Sequence, residues 1–339
     1  MKPGLMILLM LLTGLLRGQE FHYRQAPPLT EGEVRKINIL FQSADQMVWL
    51  GTDKGVYSFD GRKYKYTGRP DRLHASVSAI SEDHQGHLWA GYEDGYLHKS
   101  TLQGYNQAIP TDSLKGALIS KILFNQANEV CIATYGQGVW MMSDGKLSRI
   151  RIQELAETDD IYDAVYDRKG RLWLATDNGI WIYQREPVVN LSHLDRQDGL
   201  PDEIVTQLEV ADNGDIWIGL YDHGLAYYRF DQDSVFAFSP HATVAGNVIG
   251  ISKGVRDEIW IGSEKSIDIY SLYGKGRSVK MPVEMKDRME SFLLDQNGNL
   301  WMASGNRLFI ANTRLEFSQP AVEGIQALAV AKDKVWIGS

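Results

Sequence analysis

The chain has 339 residues, of which 44% are hydrophobic and 23% are charged, a composition that is typical of a folded globular protein and excludes intrinsic disorder. A formal net charge of −8, with no run of Lys and Arg longer than a pair, excludes a protein that holds nucleic acid through its phosphates.

The N-terminal segment predicts export from the cell. Lys2 is followed by the apolar run Leu5 to Leu16, which is shorter than the roughly 20 residues of a spanning helix but matches the core of a secretory signal peptide. Residues 1–18 are therefore the expected leader, cut before Gln19, and the mature protein is expected to be periplasmic or secreted, without a further direct membrane span. An uncleaved signal anchor is the alternative, because a small residue is missing third from the cut.

One short motif recurs along the chain. Residues Asp212 to Tyr228 read "DNGDIWIGLYDHGLAYY", and the central Trp has counterparts spaced by 40 to 44 residues, with a last interval of 35, which is close to the period of one propeller blade. The anchor positions of these copies are Trp49, Trp89, Cys131, Trp173, Trp217, Trp260, Trp301 and Trp336. The recurrence shows that the motif is a repeated structural unit, so its polar residues alone do not indicate a binding site. Cys131, the one cysteine, cannot form an internal disulfide and occupies an anchor position, which predicts a buried strand residue.

Each copy contains the same series of strand signals. In the fifth copy an alternating segment, "IVTQLEV", is followed by a Gly turn, the strand "IWIGL", a polar turn, the strand "LAYYRF" and a fourth strand, "SVFAFS". Four antiparallel strands per period, without helical periodicity after the leader, predict an all-β protein, a β-propeller of four-stranded antiparallel blades.

The number of copies predicts a seven-bladed ring. Residues 19–320 are expected to form it, with Glu20 to Gln25 supplying the fourth strand of the blade of Trp301. Residues 321–339 are then expected to begin a second propeller, and a ring of eight blades is the alternative. Because the last copy stops after two strands, we expect the chain to be a fragment of a longer protein.

Polar residues at the turns offer little specific chemistry. Asp83, Asp167 and Asp295 precede equivalent turns, where capping of the turn is favoured over cation binding because the three lie in separate blades. His84 and His87 form an H-x-x-H pattern on a hairpin turn with no third ligand nearby, which does not favour a zinc site. A nucleophile elbow, a P-loop and a dinucleotide-binding glycine pattern are also missing, so no catalytic residue, metal or cofactor is predicted.

The loops between second and third strands are the candidate recognition sites, because they vary over a constant framework. We expect aromatic rings at three loop tips, with polar neighbours, to converge at one end of the channel and to contact a ligand. The candidate ligand-binding residues are Tyr92, Glu93, Asp94, Tyr135, Tyr221, Asp222 and His223. Aromatic faces beside carboxylates suit carbohydrate, although they suit a protein partner equally, and solvated turns without a ligand are the simplest alternative.

The repeated pattern "D..G.LW.AT..G...Y" and the linker from Leu194 to Gly219, with "DGLP" at Asp198 to Pro201, resemble the propeller repeats of two-component regulators. The resemblance spans Ile37 to Ser339 and is weakest in the copies at Cys131, Trp260 and Trp301.

This resemblance implies the periplasmic ligand-sensing region of a hybrid two-component system or a sensor histidine kinase. The implied partners are a small-molecule or oligosaccharide ligand and a sensor kinase region of the same full-length protein. The implied module has no chemistry of its own. A secreted propeller lyase or hydrolase and a protein-interaction scaffold are the alternatives, because propellers also host those functions.

Overall fold

The computed structural model describes most of the chain. The described residues are 21–30, 33–68, 75–100, 106–114, 116–143, 145–150, 160–185, 187–222, 224–238, 247–254, 258–271, 276–313, 327–331 and 334–338. The expected leader, the boundary at residues 320 and 321, and His223 lie outside them. No helix in these ranges is long and apolar enough to cross a membrane.

The fold is a seven-bladed β-propeller, in which each blade is one four-stranded antiparallel sheet. The strands of each blade are given from the inner to the outer one. Blade 1 contains Ile37–Gln42, Val48–Thr52, Gly55–Phe59 and Tyr64–Tyr66, and blade 2 contains Val77–Glu82, Leu88–Tyr92, Leu97–Ser100 and Asn106–Ile109. Blade 3 contains Leu118–Phe124, Val130–Tyr135, Gly138–Ser143 and Lys146–Arg149, and blade 4 contains Ile161–Tyr166, Leu172–Thr176, Ile180–Gln184 and Asn190–Leu194. Blades 5 to 7 are Val205–Val210, Ile216–Leu220, Leu225–Arg229 and Ser234–Phe238; Val248–Lys253, Glu258–Ser263, Ile267–Ser271 and Gly276–Val279; and Ser291–Leu294, Asn299–Ser304, Arg307–Asn312 and Tyr23–Gln25. Short 3-10 helices occur in two connections, at Asp112–Leu114 and Arg196–Asp198.

The ring closes as the sequence predicts. Tyr23–Gln25 pairs with Arg307–Asn312 as the outer strand of blade 7, with Tyr23 opposite Ala311. Phe21 is buried and its ring lies 6.1 Å from that of Trp260, while Leu29 is fully buried near blade 1. The alternative of eight blades is wrong. Ala327–Ala331 and Lys334–Gly338 form a separate two-stranded sheet, and that this sheet begins a second propeller stays a prediction.

Trp side chains fill the space between blades, and most of them are fixed by a polar residue six positions earlier. Trp89, Trp173 and Trp301 donate their indole N–H to the carboxylates of Asp83, Asp167 and Asp295 at 3.0, 2.9 and 2.7 Å. The same carboxylates accept backbone N–H groups of their own turns, which confirms the predicted capping role.

Blades 3, 5 and 6 depart from this motif. In blade 5 the residue six positions before Trp217 is Ala211, which has no polar side chain. In blade 6, Gly254 occupies the capping position, and the Trp260 indole nitrogen has no hydrogen-bond partner among the described residues. In blade 3 the anchor is Cys131, which is fully buried as predicted, and burial raises the pKa of its thiol to about 12.

The first strand of each blade lies at the centre of the ring, packed against the first strands of its neighbours. In six blades this strand carries a β-bulge near its start, at the second residue in five of them and at the third, Ser120, in blade 3. The bulged residue often bonds to the following blade: Asn38 donates to the carbonyl of Val77 at 2.9 Å, and Ser78 to that of Ile119 at 2.7 Å. These local irregularities thus help to fix the spacing of neighbouring blades.

Candidate functional site

One end of the central channel, here called the top face, carries the loops between second and third strands. Because first and second strands are antiparallel, the bulged starts of the first strands lie at this same end. Tyr135 ends the second strand of blade 3 and Tyr221 follows that of blade 5, and their side chains are 45% and 46% exposed. These two predicted residues therefore occupy the same face, with blade 4 between them.

Tyr135 is half of an aromatic pair. Its ring centroid lies 5.7 Å from that of Tyr162, the bulged residue of blade 4, and its backbone pairs with Asp160. Burial, the neighbouring Tyr135 and the charges of Asp177 and Asp160 together raise the pKa of Tyr162 to about 12. The pair is therefore a neutral, partly exposed aromatic surface beside two carboxylates.

Tyr92 does not belong to this surface, which corrects the expectation of three exposed rings. It is fully buried, and its hydroxyl lies 3.1 Å from Nδ1 of His98 inside blade 2. Tyr92 comes three residues after its anchor Trp89, whereas Tyr135 and Tyr221 come four residues after theirs. Since side chains alternate along a strand, this difference of one position turns the ring into the blade.

The three described polar candidates differ in their hydrogen bonds. Glu93 is exposed and accepts a hydrogen bond from the Ser76 hydroxyl at 2.7 Å, so its carboxylate lies at the rim of the top face. Asp94 accepts a backbone bond from Tyr96 in its own turn, at 3.2 Å. Asp222 is exposed, and its backbone N–H donates to Asp202 at 3.3 Å.

Ion pairs occupy the top rim over blades 6, 7 and 1. Arg288 contacts Glu264 at 3.2 Å and Glu290 at 3.1 Å, and Glu290 in turn contacts Lys36 at 3.0 Å. These pairs link blades 6, 7 and 1, and being exposed they contribute little to stability. The aromatic and acidic side of the rim, over blades 3 to 5 and bordered by Glu93 of blade 2, is the candidate binding surface; Arg196 on this side pairs with Asp202 and Glu203 at 3.4 and 3.6 Å.

Below this surface, charged residues occupy the inner strands of blades 3, 4 and 5. Lys121 Nζ lies 2.8 Å from Asp163, which is buried and also accepts the backbone N–H of Leu208 at 2.9 Å. Burial disfavours the charge of Lys121, but Asp163 outweighs burial and raises the pKa of the amine. Burial raises the pKa of the Glu209 carboxyl to about 7, an effect that Lys121 and Lys253 partly offset.

We expect Glu209→Gln to change the pH dependence of stability. The carboxyl of Glu209 has a pKa of about 7 when folded and 4.5 ordinarily. As the pH rises from 4.5 to 7, the unfolded chain loses this proton first, so the free energy of unfolding falls, by on the order of 2 kcal/mol. Denaturant unfolding at both pH values should show this fall in the wild type and its reduction in Glu209→Gln. Glu93→Gln, at an exposed position, is the control, and equal slopes for all three proteins would contradict the prediction.

Sequence reasoning missed Tyr162, Lys121, Asp163 and Glu209. A signal was present, because "LISKILF", "IYDAVY" and "VTQLEV" place charges within otherwise apolar inner strands. In the described part of the chain, no group of three His, Cys, Asp or Glu residues could hold a metal ion. His87 is instead bonded to Asp83, at 3.0 Å within its turn.

Comparisons with known proteins support the fold. No family model matches the chain, and no curated protein matches it. Among solved structures, it is similar to an extracellular domain described as part of the hybrid two-component system BT3049 of B. thetaiotaomicron, with a TM-score of 0.68 and 16% identity over 90% of this chain and 45% of that one. An extracellular domain of a one-component system of the same organism, BT4673, matches with a TM-score of 0.68 and 14% identity over 95% of this chain and 45% of that one.

A propeller enzyme is equally similar in shape. Virginiamycin B lyase from Staphylococcus aureus matches with a TM-score of 0.73 and 11% identity, over 86% of this chain and 99% of the lyase. At these identities the likeness establishes the β-propeller fold and not a function. The chain spans less than half the length of the two extracellular domains.

Proposed function

We propose that this chain is an exported sensor propeller that recognises a carbohydrate, or a small ligand of similar chemistry, at the top face over blades 3 to 5. The observation that carries the proposal is the pair of Tyr135 and Tyr162 beside Asp160 and Asp177. In the proposed role the module binds without catalysis, and a kinase region of the same full-length protein would carry the signal.

The chemistry of the surface supports a polyhydroxylated ligand. Sugar rings have apolar faces that pack on aromatic side chains, and hydroxyl groups that donate to carboxylates. Tyr135 supplies an accessible ring, while Glu93 and Asp222 supply exposed carboxylates on the blades to either side. An anionic ligand would be repelled by this acidic side of the rim.

Two further observations support a sensor that works outside the cytoplasm. The apolar N-terminal run has the pattern of a secretory leader. Extracellular domains of bacterial signalling systems share the fold over most of this chain.

Tyr135→Ala is expected to weaken ligand binding with little loss of stability. Loss of ring packing should raise the Kd about three- to tenfold, whereas the ring is 45% exposed and fills no core space. The measurement is a thermal-shift screen with neutral oligosaccharides, followed by calorimetric titration of the saccharide that binds. Val189→Ala is the control, since Val189 is exposed on a loop at the opposite face.

The same saccharide can be used to distinguish a binding protein from an enzyme. The saccharide is recovered after incubation and its mass is measured. Unchanged mass together with weaker binding to Tyr135→Ala supports the proposal. Cleavage or elimination of the saccharide would show that the protein is an enzyme. Equal affinity of Tyr135→Ala and the wild type would show that the saccharide does not bind to this surface.

A further inference from the structure

The face opposite the top face, here called the bottom face, has grooves at several junctions between neighbouring blades. At the junction of blades 7 and 1 this groove contains a cavity of about 390 Å³. The corresponding cavities between blades 3 and 4 and between blades 5 and 6 measure about 70 and 30 Å³. Of these three cavities, the one at the ring closure falls within the range of about 300–1,000 Å³ that is usual for small-molecule sites.

The difference in size has a local cause at one position. Between blades 4 and 5 the groove is filled by Phe230, whose ring lies 3.9 Å from the guanidinium of Arg168. The equivalent residue of blade 4 is Arg185, which reaches back to Glu129 on blade 3 at 3.2 Å. In blade 1 the same position is Gly61.

Gly61 leaves space that Arg185 occupies between blades 3 and 4 and Phe230 occupies between blades 4 and 5. Its φ is 91°, and a Cβ added there would meet no atom within 4 Å. Arg24, on the closing strand, reaches across and donates one hydrogen bond to the Gly61 carbonyl at 3.1 Å. Arg24 also lines the cavity, and its guanidinium has further N–H groups that can donate.

The polar lining offers paired donors and acceptors from both blades. Asn297 of blade 7 donates to the side-chain oxygen of Gln46 of blade 1 at 3.0 Å. This bond leaves the amide nitrogen of Gln46 and the amide oxygen of Asn297 for another partner. One Asp45 oxygen accepts bonds within its own turn, which leaves the second oxygen as an acceptor. Buried apolar side chains form the floor, namely Val48, Phe59, Trp301 and Ile310.

We propose that this cavity is a second binding site, for a neutral saccharide, which bridges blades 7 and 1. Carboxamides and a guanidinium can bond to neighbouring hydroxyls, and Asp45 and Asp60 disfavour an anion. A ligand here contacts both sides of the ring closure, so it stabilises the closed ring in proportion to its occupancy. The site is separate from the top face and does not depend on the function proposed there.

The test uses defined probes: glucose, maltose, cellobiose, lactose and sucrose, with glucuronate and glycine as anionic and zwitterionic comparisons. We expect at least one neutral saccharide at millimolar concentration to raise the melting temperature and to bind in calorimetric titration. Asn297→Ala removes a bonding group, and Gly61→Asn fills the space with a residue that tolerates positive φ. Each should raise the Kd about tenfold.

Lys169→Ala is the matched control, because Lys169 occupies the turn position of Asn297 in blade 4, beside the groove that Phe230 fills. Its affinity should equal that of the wild type. The proposal would be overturned if no neutral saccharide bound, or if only glucuronate or glycine bound. It would also be overturned if Asn297→Ala and Gly61→Asn both bound the saccharide with the affinity of the wild type. Affinity that is lost in Tyr135→Ala and kept in Asn297→Ala would place the saccharide at the top face, which overturns this site and leaves the proposed function intact.

Discussion

A chain that begins at Arg35 is expected to unfold at a much lower temperature than one that begins at Gln19. The shorter chain lacks Tyr23–Gln25, so the outer edge of Arg307–Asn312 is left unpaired. It also lacks the buried side chains of Phe21, Leu29 and Val34. Burial of large apolar side chains contributes about 1.5 to 3 kcal/mol each, so the loss should be about 5 kcal/mol or more.

The comparison is made by denaturant and thermal unfolding of both chains. A peptide of residues 19–34, added to the shorter chain, should raise its melting temperature, because the peptide restores the same contacts without the covalent link. Gln25→Ala in the longer chain is the control, since Gln25 is exposed and its strand pairing is retained. Equal melting temperatures for the two chains would show that the segment does not hold the ring closed.

Trp173→Ala is expected to lower the free energy of unfolding by about 3 to 5 kcal/mol, the usual cost of truncating a buried large aromatic side chain. Trp173 is fully buried, its indole N–H donates to Asp167 at 2.9 Å, and its ring lies 4.7 Å from that of Tyr228 on blade 5. Truncation therefore opens a cavity between blades 4 and 5 and removes a partner of a buried carboxylate.

Trp173→Phe distinguishes these two contributions. Phenylalanine retains an aromatic ring against Tyr228 but has no N–H for Asp167, so its loss should be clearly smaller than that of Trp173→Ala. The measurement is equilibrium unfolding in denaturant, with the midpoint and slope both recorded. A loss in Trp173→Ala no larger than in Trp173→Phe would contradict the assignment of this ring as the main filler of the junction.

Much of the fold could be predicted because the repeat places equivalent residues at equivalent positions. The spacing of Trp49, Trp89 and Trp173 gave the blade period, and the Gly turns gave the strand order. The closing strand was predictable because the blade of Trp301 lacked one strand and an unpaired edge is unfavourable. Asp167 was correctly interpreted as a cap, although its bond to the Trp173 indole could not be inferred from the turn alone.

The candidate site was predicted less well, for a reason in the backbone. A bulge shifts the alternation of side chains by one residue, so Tyr162 and Asp163 do not follow the simple period of two. Tyr92 was misplaced by the same kind of single-residue difference, counted from Trp89. The cavity beside Gly61 depends on which side chain fills each junction, and that comparison needs the assembled ring.

The closure of the ring also determines the order in which this chain can fold. The Asn306 side chain bonds to the carbonyl of Leu29 at 3.4 Å, across 277 positions of sequence, and the Tyr23 hydroxyl bonds to the carbonyl of Lys280 across 257. A ribosome therefore releases the N-terminal strand long before its partner exists. Contacts of such high sequence separation form slowly, so ring closure should be the last and slowest step of folding. Until then Tyr23–Gln25 and the outer edge of Arg307–Asn312 stay unpaired, so a chaperone can bind the N-terminal segment during this period.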